Sequence, residues 1–128
     1  MPVVSADLGA VDPELLALLM DAATASSRTQ LLLALADARL LSPVVPNADG
    51  SEMMSVSFQA ADGRSAALAF TGMEFLAQWR SDARPLSMRG ADLAKDALER
   101  GLSALLVDLG QSHQLAVQGL ELRIVAAN

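Results

Sequence analysis

Apolar and polar residues along this chain fall first into helical spacing and then, from Leu40, into short extended runs. The first ~11 residues carry no such pattern and read as a loose N-terminal arm (1–11). Val11-Asp12-Pro13-Glu14 then opens a helix, with Asp12 as cap, Pro13 in the first turn where its missing N–H costs nothing, and Val11 placed to staple onto Leu16. Leu15, Leu16, Leu18, Leu19 and Ala22 give that helix a broad apolar face. Ala25-Ser26-Ser27 breaks it, and Ser27 with Gln30 forms a capping box for a second short helix over Leu31 to Ala38.

Leu41 to Pro46 reads as a strand whose two prolines confine it to an edge or a ladder end. Asn47-Ala48-Asp49-Gly50 turns the chain into Met53 to Ala60, where Met54, Val56 and Phe58 alternate with Ser55, Ser57 and Gln59, one face buried and one wet. A two-residue Asp62-Gly63 turn would put the large residues of this hairpin on opposite faces. A three-residue Ala61-Asp62-Gly63 loop pairs Phe58 with Ala66, Val56 with Leu68 and Met54 with Phe70, and buries one coherent face, so the second register is expected.

Phe70 to Trp79 writes a strand-to-helix corner: Thr71 caps onto Glu74, Glu74 reaches back, and Phe70 and Phe75 staple the junction. That helix ends near Arg80. Arg84 to Met88 is a short strand, Gly90 to Arg100 a helix stopped by Gly101 and supported by Asp96 four residues before Arg100, and Ala104 to Leu109 a buried strand. His113 to Gln118 follows as a strand turned through Gly110, while Leu120 to Val125 suits either a strand or the first turns of a helix. The expected architecture is a single α+β domain over 1–128: a mixed, largely antiparallel sheet, built from a three-strand meander and then β-α-β-α-β units, with helices packed on it.

Composition narrows the function classes. A chain of 128 residues buries roughly two thirds of its unfolded surface. Its 52% hydrophobic content with only 3% aromatics calls for an aliphatic core with apolar surface left for a partner. A formal charge of -6 without a Lys-rich run disfavours nucleic acid. The absence of cysteine excludes disulfides, thiolate metal sites and thiol nucleophiles. Met1 to Ala10 has no positive n-region, and nowhere do ~18 uncharged apolar residues run together. A cytoplasmic protein that does not engage membranes is expected.

Leu41-Ser42-Pro43-Val44-Val45, the Asp62-Gly63 hairpin, Leu68-Ala69-Phe70-Thr71 followed by Glu74, Leu76 and Trp79, and Gly90, Asp92 and Leu93 before Ala104 to Asp108 together resemble the N-terminal domain of the SseB family of bacterial proteins. The resemblance covers most of the chain and implies an α/β domain of the bacterial cytoplasm with no defined chemistry. A secretion-translocon protein shares the label, but its membrane-inserting character has no counterpart here. Members often show Asn-Pro after the penultimate strand where this chain has Asp108-Leu109, so no site residue is carried over from there.

Candidate chemistry is sparse. His113, the one histidine, lies between Ser112 and Gln114 and reads as a solvent-exposed turn residue; a general-base role would need a carboxylate such as Asp108 and a nucleophile within reach. Asp49, Glu52 and Asp62 lack metal-ligand spacing. Helix starts at Thr71-Gly72 and Arg89-Gly90 form a candidate anion site, although a Thr71 cap would consume those donors. Arg80, Arg84 and Arg89 read either as helix-end cations or as a docking patch, and Trp79 as a core anchor ahead of an interface hot spot. Leu15, Leu16 and Leu19 are sandwiched within the domain or pair with a copy of themselves. The expectation is a non-enzymatic protein-interaction or regulatory module without cofactor or metal, forming a homodimer, with Leu15, Leu16, Leu19, Trp79, Arg80 and Arg84 as candidate interface. The alternative is a small-ligand or anion-binding protein using Thr71, Gly72, Arg89 and Gly90.

Overall fold

Helix α1 (Pro13–Met20) starts where the sequence places it, with Asp12 Oδ1 accepting the Glu14 N–H at 3.0 Å. In the computed structural model the described residues are 9–21 and 25–128, side chains of 25–27 excepted, so most of the expected arm, Ala22 and the Ser27 capping box lie outside them. Helix α2 (Ala25–Asp37) begins at the stretch expected to be a break. The end of the arm is not loose: the Gly9 carbonyl accepts the Met73 N–H at 2.6 Å and the Ala10 carbonyl accepts from Arg39 Nη2 at 2.7 Å.

Two sheets follow. Strand β1 (Arg39–Pro46) lies between β2 (Met53–Ser55) and β5 (Arg84–Arg89), both antiparallel to it. The second sheet has the order β3 (Ser57–Gln59), β4 (Ser65–Ala69), β6 (Ala104–Val107), β7 (Leu115–Gln118), with β4 and β6 parallel and the outer pairs antiparallel. Helices α3 (Met73–Trp79), α4 (Gly90–Glu99) and α5 (Leu120–Ala126) complete the α+β fold, and the last of these settles the ambiguous end of the chain as helix.

The prolines of β1 do not confine it to an edge. Pro43 stands opposite Pro85, a pairing that needs no N–H from either residue, and its carbonyl turns to the other side to accept from Val56 at 3.4 Å. A central strand accommodates Pro43 because the pairing with β5 makes no use of its N–H and the ladder to β2 stops one pair short of it, at Val44 opposite Ser55, while Pro46 stands at the end of the strand.

The hairpin loop is the expected three residues, with Gly63 at φ +89° and Phe58 opposite Ala66. The rest of that register does not form. Phe70 exchanges both backbone hydrogen bonds with Leu41, at 2.8 and 2.9 Å, so its ladder groups are taken and Met54 pairs with Val45 instead. The 53–59 segment serves β1 with its first half and β4 with its second, bending at Val56. Met54 and Phe58 are consequently exposed, not the buried face the alternation suggested.

Strand alternation gives the four-stranded sheet one covered face and a second that is covered only beside α3. Ala67, Ala69, Leu105, Val107 and Val117 meet Leu15 and Leu19 of α1, Leu31 and Leu35 of α2, and the inner residues of α4 and α5 in the main core. Leu68 and Phe70 point the other way and join Leu41, Leu76 and Ala83 in a second cluster, sealed by Phe75 and Trp79 of α3. Helix α4 approaches α2 so closely that its Gly90 N–H donates to the Ala38 carbonyl at 2.9 Å, and a Cβ on Gly90 would strike the Leu35 carbonyl.

Candidate functional site

Where β4 and β6 end side by side, three donors converge on one carboxylate. Asp108 Oδ1 accepts the Thr71 N–H at 2.8 Å, and Oδ2 accepts the Thr71 hydroxyl at 2.6 Å and lies 2.7 Å from His113 Nε2. Parallel pairing of β4 with β6 brings Thr71 and Asp108 together, and the ladder continues one step beyond the strands through Asp108 N–H to the Ala69 carbonyl at 2.9 Å. The tight β6–β7 turn then folds His113 back: Gln111 N–H donates to the Asp108 carbonyl at 3.0 Å, and Gly110 N–H to Gln114 Oε1 at 3.0 Å.

Asp108 holds φ at +55°, the one non-glycine residue at positive φ among those described. Asp tolerates this region better than most residues because its short side chain bonds locally.

Two expectations change here. Thr71 does not cap α3; Gly72 occupies the cap position with no side-chain bond, because the Thr71 hydroxyl is drawn to the buried carboxylate. His113 is not a solvent-exposed turn residue: its side chain is 7% exposed and its ring meets Phe75 edge-on at 5.2 Å. The spacing of five positions from Asp108 to His113 across Gly110 was the signal, and it is faint because only the turn geometry closes the gap.

The order of bonds decides what this cluster can do. A hydroxyl nucleophile needs its proton taken by the histidine while the acid orients the histidine from behind. Here Thr71 and His113 both face the acid, and Thr71 and Asp108 are 1% and 0% exposed. The arrangement is a clasp that ties the end of β4, the end of β6 and the turn before β7, and Gln111 Nε2 extends it to Gln78 Oε1 on α3 at 2.8 Å.

Three backbone donors at the two candidate anion corners are engaged within the chain: Thr71 N–H by Asp108, Met73 N–H after Gly72 by the Gly9 carbonyl, and Gly90 N–H by the Ala38 carbonyl. Arg89 lies 3.5 Å from Asp37 and donates to the Asn128 carbonyl at 2.9 Å. Among the candidate interface residues, Leu15 and Leu19 are 3% and 4% exposed and belong to the main core, while Leu16 is half-buried. Trp79 is half-buried against Phe70 with ring centroids 5.5 Å apart. Arg80 pairs with Asp82 at 2.6 Å, and Arg84 is exposed on β5 opposite Val44. Leu15 and Leu19 are therefore enclosed within the chain, while Arg80 and Arg84 face outward.

Two of the hollows outside the clasp stand out by their lining. One lies on the face of the four-stranded sheet beyond the reach of α3, a cavity of about 200 Å³ floored by Ala66, Ala104 and Ala116 with Leu106 and Phe58 beside them. The other lies between α1 and α2. Among the described residues no group of His, Asp and Glu is placed to hold a metal, and no helix is long and apolar enough to cross a membrane.

The SseB protein N-terminal domain matches residues 14–123. No curated protein and no solved structure matches the chain. With the match running from α1 into α5 over the α+β layers described above, the chain belongs to the SseB family, of which it carries the N-terminal domain.

Proposed function

We propose that this chain is a protein-interaction or regulatory module of the bacterial cytoplasm that works without catalysis and self-associates as a homodimer. One observation carries the reading: on the open face of the four-stranded sheet an exposed Phe58 stands beside a hollow with an alanine floor. Register puts Phe58, Ala66, Ala104 and Gln118 in one row across four strands, so the aromatic ring and the Gln118 side chain stand at the two ends of a low alanine centre.

A protruding ring next to a shallow hollow is self-complementary under a two-fold axis, each copy placing its Phe58 over the other's alanines. The rim suits that pairing, since Arg64 is neutralised by Asp62 at 2.8 Å. The closed clasp supports the non-catalytic part, because neither Thr71 nor Asp108 is open to a substrate. Light scattering on the purified chain tests the reading: a dimer mass at high micromolar concentration is expected, and a monomer mass there would refute self-association.

A further inference from the structure

We propose that the groove between α1 and α2 docks a basic amphipathic helix of a partner protein. This rests on the interaction-module reading but uses a different face from the proposed dimer.

Inward residues of the two helices are consumed by the main core: Leu15 and Leu19 from α1, Leu31 and Leu35 from α2. On the outer side the helices part around a cavity of about 300 Å³ walled by Leu18, Leu33 and Ala34. Leu33 is 50% exposed, although α2 has buried leucines on both sides of it. Its position on the groove wall leaves an apolar strip partly open to solvent.

The rim decides what fits. Every ionisable residue lining the groove is acidic: Asp12 and Glu14 at the start of α1, and Asp37 at the end of α2. Arg89 reaches Asp37 only from outside, at 3.5 Å, and that carboxylate stays 86% exposed. An apolar strip bordered by carboxylates complements a helix with apolar anchors at i, i+3 and i+4 flanked by Lys or Arg. A wholly apolar occupant would strip water from the carboxylates without return. A second copy of this chain, at -6, would set the same acids against each other across the two-fold. Nucleic acid and anionic lipid are repelled for the same reason.

The test titrates the full chain with a fluorescent synthetic helix of about 15 residues, built from Leu and Lys in amphipathic order, and with its Leu and Glu counterpart. Saturable binding of the Lys peptide alone is expected. The Asp12→Asn, Glu14→Gln, Asp37→Asn variant should weaken it roughly tenfold, and Leu33→Gln, at a half-exposed position, should weaken it as well. Asn at position 12 still caps α1, so the fold survives. A variant with Glu74→Gln, Asp92→Asn and Glu99→Gln removes equal charge elsewhere and should bind as the wild type does. Equal loss in both triple variants would mean bulk charge and overturn the proposal, as would equal binding of the Glu peptide. Loss of the groove with the dimer intact would leave the interaction reading standing, whereas a monomer that binds neither peptide would remove both.

Discussion

Asp108 takes both the backbone N–H and the hydroxyl of Thr71, at 2.8 and 2.6 Å, so that one side chain stitches the ends of two parallel strands. The stitch lies where the strands hand over to α3 on one side and to the His113 turn on the other, and it fixes both departures at once.

Replacing Asp108 by Ala leaves Thr71 and His113 without their shared acceptor and puts a β-carbon without polar compensation at positive φ. Chemical denaturation should show a loss of about 3 kcal/mol or more. Asn at this position keeps the left-handed conformation and one acceptor for the Thr71 N–H, so Asp108→Asn should lose less, about 1–3 kcal/mol. An Asp108→Asn variant as stable as the wild type would argue that backbone conformation, not the clasp, sets the cost.

The first helix was legible as a helix, with core and interface both open, and the structure places Leu15 and Leu19 in the core. Leu15 and Leu19, each at most 4% exposed, make Leu15→Glu and Leu19→Glu core disruptions. Each places a carboxylate in an apolar interior and should cost on the order of 3 kcal/mol or more. Circular dichroism is expected to show unfolded or molten chains. A well-folded monomer from either variant would return α1 to the interface.

Gly90 allows α4 to touch the end of α2, with its N–H on the Ala38 carbonyl at 2.9 Å. Added methyl volume there meets the Leu35 carbonyl, which is backbone and cannot swing aside. Gly90→Ala should therefore lower stability by about 1–3 kcal/mol, although alanine is the better helix former. A gain in melting temperature would contradict the close approach.

Arg28 on α2 holds Glu121 on α5 through paired hydrogen bonds, Nε to Oε2 at 2.8 Å and Nη2 to Oε1, and Nη2 also reaches the Ala116 carbonyl at 3.4 Å. The hydrogen bonds, helped by the guanidinium charge and opposed by partial burial, hold the Glu121 carboxyl below its ordinary value. The unfolded chain then binds the proton more readily, so this contribution is full above the ordinary Glu range near ~4.3 and is lost as pH falls through the lowered folded value. Glu121→Gln should be less stable at pH 7 by roughly 0.5–1 kcal/mol, and the gap should close in acid. A gap independent of pH would show that packing, not charge, is lost.

Element types were readable because capping and periodicity are local: Asp12 with Pro13 began α1, Gly101 at φ +74° ended α4, and Gly63 set the hairpin loop. What escaped the sequence is contact between segments far apart. Nothing near Phe70 announces that Leu41 claims its backbone, and nothing near Thr71 announces Asp108, 37 residues on, whose carboxylate outcompetes the capping box. The same limit applies to His113, whose burial depends on Phe75 of α3. Exposure of Phe58 became visible only once the bend at Val56 was known.

Sedimentation equilibrium of the wild type beside Phe58→Lys bears most directly on the central claim that exposed apolar surface, not the polar clasp, carries the function. Position 58 is 38% exposed, so the substitution should leave the melting temperature nearly unchanged. The account predicts a concentration-dependent dimer for the wild type and a monomer for the variant. A wild-type monomer throughout, or a dimer indifferent to Phe58→Lys, would contradict it.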